Sequence, residues 1–213
     1  PTSSLPLLAP AAPTPHTPHM MRFVTSADGT SIAVPIEGDA TKPVMLGVWP
    51  WAQAMLHDEG GPALHYRDYL RSHRLSVGFD RRGTGDSGRD VTDVSTERAL
   101  EDLEAAASTV AVERFDIFAA FDGAPIAISF AAKHPDRVNR MVLWQPMVLG
   151  TAWLTRERAE SVVNLARTDW ALALRTLANM WVPRGPVEAQ RRLARSWRAR
   201  LSPESLTMYF NEL

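Results

Sequence analysis

The stretch FDIFAAFDGAPIAISFAAKHP, residues 115–135, constrains the fold more than any other part of the chain. FDIFAA is a short run rich in aromatic and small apolar residues, suited to a buried strand. GAPIAISFAAKH is helical in pattern, with Pro125 in the first turn, where its missing N–H costs nothing, and Pro135 just beyond the end. Only Phe121 and Asp122 lie between the two patterns. So short a connection forces a sharp turn from strand into helix.

The flanking sequence repeats this alternation. RFVTS (22–26) and SIAVPIEG (31–38) are extended runs joined by ADGT, a hairpin turn. PVMLGVWP (43–50), RLSVGFD (74–80) and VNRMVLWQP (138–146) read as buried strands. A helix is expected within 63–72. A second starts after Ser95, with Leu100, Leu103, Ala107 and Val110 on one face. Beyond residue 150 the pattern is all helical, over 154–167, 170–181, 187–201 and 203–213. Strands alternating with helices imply crossover connections and a mostly parallel sheet. The helical tail is then expected as a lid over the edge where the parallel strands end.

Composition narrows the functional classes. The 213 residues hold 45% hydrophobic and 22% charged residues, ordinary for a globular domain with a sizeable core. The chain has no cysteine, which removes disulfides, zinc–thiolate sites and thiol catalysis together and fits a reducing, cytoplasmic setting. No apolar run approaches the ~20 residues of a membrane helix, so no membrane partner is expected. Residues 1–150 carry 13 Lys/Arg and 18 Asp/Glu, whereas 151–213 carry 10 Arg and 6 acids. The basic tail reads as a solvated helix face: Arg191, Arg195 and Arg198 recur at helical spacing, opposite Leu193, Trp197 and Leu201. Without a reader motif or interleaved aromatics, no nucleic acid is expected to bind this segment. Residues 1–20 are Pro-rich, and His16 and His19 there read as solvated side chains, not metal ligands. No metal set, phosphate loop or dinucleotide fingerprint occurs, so no cofactor is expected.

Together, VGFDRRGTGDSGR (77–89) and VERFDIFAAFDGAPIAISFAAKHPDRVNRMVLW (112–144) resemble the α/β-hydrolase family. The first is similar to the family's strand-exit loop of the form aromatic-Asp-x-Arg-Gly-x-Gly-x-Ser. The second is similar to its strand, nucleophile elbow, helix and following strand. WPW (49–51) sits where the oxyanion loop belongs, and LSPESLTMYFNEL (201–213) is similar to the end of a helical lid. Within the family, the resemblance is to hydrolase-like domains attached to nucleotide cyclases or helix-turn-helix regulators, and to their stand-alone relatives. It implies a disordered or linking segment over 1–20, a hydrolase-like core over 21–150 and a lid over 151–213. The family's last strands are absent, so a fragment of a longer chain is expected.

The resemblance also implies an elbow of the form small-x-nucleophile-x-small. The positions that match are Ala119, Phe121 and Gly123, with Ala120 and Asp122 between them. Phe121 has no nucleophilic atom. No His follows His134, which the pattern places at a helix end, and Gln145 and Pro146 stand after the strand where an acid belongs. At the oxyanion loop Pro50 has no N–H to donate, and Trp49 and Trp51 flank it.

Three readings follow. The first is a non-hydrolytic, small-molecule-binding or regulatory domain, its pocket lined by Trp49, Pro50, Trp51, Phe121, Trp144 and Gln145 and filled by a small apolar ligand. The aromatic residues can equally be core filling. The second is a hydrolase of esters, epoxides or halides. It requires the elbow to shift by one residue, with Asp122 as nucleophile and a His beyond residue 213. The third is an interaction module completed by a partner chain, whether a second copy or a further domain of the same polypeptide.

Overall fold

The computed structural model describes residues 19–50, 69–70, 72–147 and 154–212. Trp51, and most of the helix expected within 63–72, lie outside the described residues; Tyr69, Leu70, Ser72 and His73 are helical.

Six strands form one sheet: β1 (His19–Thr25), β2 (Ser31–Glu37), β3 (Val44–Val48), β4 (Leu75–Val77), β5 (Phe115–Ala120) and β6 (Val138–Trp144). Their spatial order is β1-β2-β4-β3-β5-β6. β1 and β2 form an antiparallel hairpin, and β2 meets β4 antiparallel. From β4 through β3 and β5 to β6 all pairing is parallel. β1 begins three residues ahead of the expected run, with His19 opposite Glu37. β4 is shorter than expected, because only three residues join the ladder. The chain nevertheless continues along β2, with Gly78 N–H on the Pro35 carbonyl and Asp80 N–H on the Ala33 carbonyl.

Two helices lie between the later strands. Helix α1 (Thr96–Ala107) is capped by the Ser95 hydroxyl, which accepts from Arg98 N–H. It buries Ala99, Leu103, Ala106 and Ala107 against the sheet. Helix α2 (Gly123–Lys133) follows β5 directly and buries Ile126, Ala127 and Phe130 in the same core. It stops at His134, whose non-helical backbone and following Pro135 end the helix. The Ile117, Leu46 and Val77 side chains meet these helices from one face of the sheet. Met45, Phe118 and Trp49 form a smaller cluster apart from it, as the two-residue period of a strand requires.

β6 departs from the sequence expectation. It reads as a fully buried strand, yet Val142 is 55% and Trp144 46% exposed. It is the outermost strand among the described residues, so it lacks the neighbour that would cover it.

The remaining helices are α3 (Arg156–Thr168), α4 (Trp170–Trp181), α5 (Val187–Arg200) and α6 (Pro203–Asn211). They share their own core, centred on Leu174, Leu177, Trp197, Leu206 and Phe210. Asp169 caps α4 by accepting from Leu172 N–H, and Ser202 and Ser205 form a reciprocal capping box at α6. No helix among the described residues is long and apolar enough to cross a membrane.

Candidate functional site

At the end of β5 the backbone turns through Phe121, whose φ is +52°. That left-handed conformation costs a non-glycine residue ~1–2 kcal/mol. The surroundings hold it in place. Phe121 N–H donates to the Trp144 carbonyl at 3.2 Å, and its own carbonyl accepts from Ala124 N–H at 3.1 Å and Met147 N–H at 3.0 Å. The neighbours are small for a steric reason. Ala119 is sealed between Val48 and Leu143. A Cβ at Gly123 would collide with the Val48 carbonyl. The left-handed residue of the turn is Phe121, flanked two positions away by Ala119 and Gly123. Asp122, by contrast, already has right-handed helical angles and occupies the N-cap of α2.

Phe121 projects toward aromatic neighbours. Its ring centroid lies 5.5 Å from that of Trp144 and 5.1 Å from that of Trp181, both tilted. Trp181 in turn meets Trp197 edge-on at 6.1 Å. Elbow and C-terminal helices thus meet across apolar rings. Trp181 escaped the sequence reading, since nothing local links the end of α4 to a turn sixty residues earlier. Trp49 is in the core: it is 7% exposed, 5.0 Å from Phe118, with its indole folded over Gly47. Phe121 packs against the margin of that cluster. Pro50 is buried, whereas Gln145 is exposed with φ +47°. His134 sits at the far end of α2, its Nε2 2.8 Å from Glu104 Oε1, as expected of a helix-end residue.

Beside the elbow runs the loop that leaves β4. Arg82 is 2% exposed and binds Asp102 through Nε and Nη2 at 2.9 and 2.7 Å, and Asp28 through Nη1 at 2.6 Å. Burial alone would discourage its charge, but the two carboxylates outweigh that and raise its pKa. Gly83 and Gly85 carry positive φ, and a Cβ at Gly85 would strike the Asp80 carboxylate. Burial pushes the Asp80 carboxyl upward, opposed by Asp86 N–H and by Arg200. Ser87 Oγ donates to the Asp80 carbonyl and accepts from Ala33 N–H. The loop also fastens the C-terminal helices: Gly85 N–H donates to the Arg200 carbonyl, Arg200 reaches Asp80 at 3.3 Å, and the buried Tyr209 hydroxyl donates to the Arg82 carbonyl at 2.8 Å.

Arg81 links the two structures. Its Nη1 donates to Asp122 Oδ2 at 3.2 Å, and its guanidinium lies 5.2 Å from the centre of the Tyr209 ring. Among the described residues no three His, Asp or Glu stand together as metal ligands. A cavity of about 700 Å³ opens at the opposite edge of the sheet, beside Val44, Leu75 and Phe115 at the strand starts, remote from the elbow.

No protein-family model matches the sequence. Solved structures do. A hydrolase from Pseudomonas aeruginosa is 22% identical, with a TM-score of 0.67 over 90% of this chain and 71% of its own. An esterase from Exiguobacterium antarcticum is 17% identical, with a TM-score of 0.72 over 91% of this chain and 73% of its own. A bottromycin epimerase, solved with bottromycin A2, is 21% identical, with a TM-score of 0.62 over 91% of this chain and 72% of its own. With a mostly parallel sheet, a strained strand-to-helix elbow at its C-terminal edge and these neighbours, the chain has the α/β-hydrolase fold.

Proposed function

We propose that this α/β-hydrolase-superfamily chain uses its elbow to bind a small apolar ligand without hydrolysing it, as a sensor or regulatory domain. One observation carries the reading. The left-handed apex of the elbow holds a phenylalanine whose backbone is pinned by three hydrogen bonds and whose ring faces two tryptophans. A side chain without a nucleophilic atom cannot attack, but rings at a sheet edge can line a ligand site. The C-terminal helices act as its lid. The fold is compatible with chemistry other than hydrolysis, since one neighbour is named an epimerase.

The esterases among the neighbours favour a second reading, hydrolysis, which in this chain requires Asp122 as nucleophile and a His beyond residue 213. Against it, Asp122 lies past the apex in helical conformation and its carboxylate engages Arg81. Turnover of p-nitrophenyl acetate against a heat-denatured control separates the two. Binding predicts no saturable turnover, together with a Nile red fluorescence increase that Phe121→Ser diminishes. Saturable turnover abolished by Asp122→Asn establishes the hydrolase instead.

A further inference from the structure

Arg81 and Arg82 are adjacent, both almost wholly buried, and very differently satisfied. Arg82 makes six hydrogen bonds, to Asp102, Asp28, Ser26 and the Asp93 carbonyl. Arg81, with its side chain 6% exposed, makes one, from Nη1 to Asp122. Its Nε is buried without a hydrogen-bond partner. A guanidinium carries five N–H donors, and a buried one is costly unless acceptors surround it. Tyr209 offers the face of its ring, which attracts the charge but accepts no conventional hydrogen bond from Nε.

The pattern of occupancy is informative. Asp122 takes the Nη1 end. The edge formed by Nε and Nη2 is left over, and that edge matches a carboxylate through two parallel N–H···O bonds. It lies at the exit of β4, on the same sheet edge as the elbow, and the residue that holds Arg81 directly follows Phe121.

We propose that the missing acceptor belongs to the ligand: the site takes a small monocarboxylate with a flat apolar body. The acid group sits on the Nε–Nη2 edge of Arg81, and the body lies against Phe121, Trp144 and Trp181. Asp122 holds the guanidinium in place and, as a second negative charge, limits the affinity. The inference rests on reading the elbow as a binding site and adds the chemical class of its ligand.

Phenylacetate and phenylacetamide share shape and differ in charge, so titration calorimetry with both measures the role of Arg81, while Nile red reports the apolar site independently. The unmodified protein should bind the acid about ten-fold or more tightly than the amide. Arg81→Gln should abolish that preference. Asp122→Asn should tighten phenylacetate several-fold. Equal binding of acid and amide, failure to bind phenylacetate, or a preference that survives Arg81→Gln overturns this inference while Nile red binding still supports the elbow as a site. Loss of Nile red binding in the unmodified protein overturns both.

Discussion

Of the turns with left-handed backbone at this sheet edge, the loop after β4 and the elbow after β5 contrast most. In the loop the positive angles fall on Gly83 and Gly85, at 75° and 55°, where no side chain objects. Around them the polar groups of Arg82, Asp28, Asp102 and Ser87 find partners inside the protein. At the elbow a similar angle falls on Phe121, surrounded by rings and beside a cation with a donor to spare. The loop has the character of a structural rivet joining hairpin, α1 and the C-terminal helices. At the elbow the left-handed conformation carries a steric cost that the loop glycines avoid, and three backbone hydrogen bonds hold it in place.

The largest effect should come from the rivet. Arg82→Met leaves Asp102, fully buried, without its counter-ion, and denaturant melts should show a loss of about 3–5 kcal/mol. A loss no greater than that of an exposed ion pair would break the comparison. Next, Gly123→Ala places a Cβ against the Val48 carbonyl, a backbone atom that cannot swing aside. A cost of about 1–3 kcal/mol is expected in the same measurement.

A finer test inverts a common order. In most strand or helix positions alanine is more stable than glycine. At residue 121 Phe121→Gly should be more stable than Phe121→Ala by about 1 kcal/mol, because only glycine adopts φ +52° without strain. Phe121→Ser should cost less than the ~3–5 kcal/mol of truncating a fully packed core aromatic, since the ring is only half-buried. The usual order between glycine and alanine would show that the turn is not left-handed in solution.

The smallest effect is pH-dependent and involves the rivet. Hydrogen bonds from Arg82, and then from Thr30 N–H, hold the Asp28 carboxyl well below its ordinary value of 3.8. A carboxyl lowered by folding contributes stability that is complete above the unfolded pKa and lost as pH falls through the folded one. Stability should therefore decline on acidification below about pH 4, and Asp28→Asn should flatten that limb. Phe121 variants should leave it unchanged.

The order of strands and helices, the sharp turn from β5 into α2, the Ser95 cap and the place of His134 at a helix end were all legible in the sequence. Each depends on residues within a few positions: apolar period, capping chemistry, proline, and small residues flanking a turn. What lay beyond reach was pairing across distance. Arg81 finds Asp122 41 residues away, and Tyr209 finds the Arg82 carbonyl across 127. No local pattern distinguishes the satisfied Arg82 from the under-satisfied Arg81 beside it, or puts Trp49 in the core and Trp181 against the elbow. The same limit explains the misjudged burial of β6. Its apolar run specifies a strand, but whether a strand is covered depends on what stands next to it in the sheet. Short-range patterns encode which conformation each segment prefers, whereas burial and charge partnership belong to the packed arrangement, and only the tertiary structure decided them.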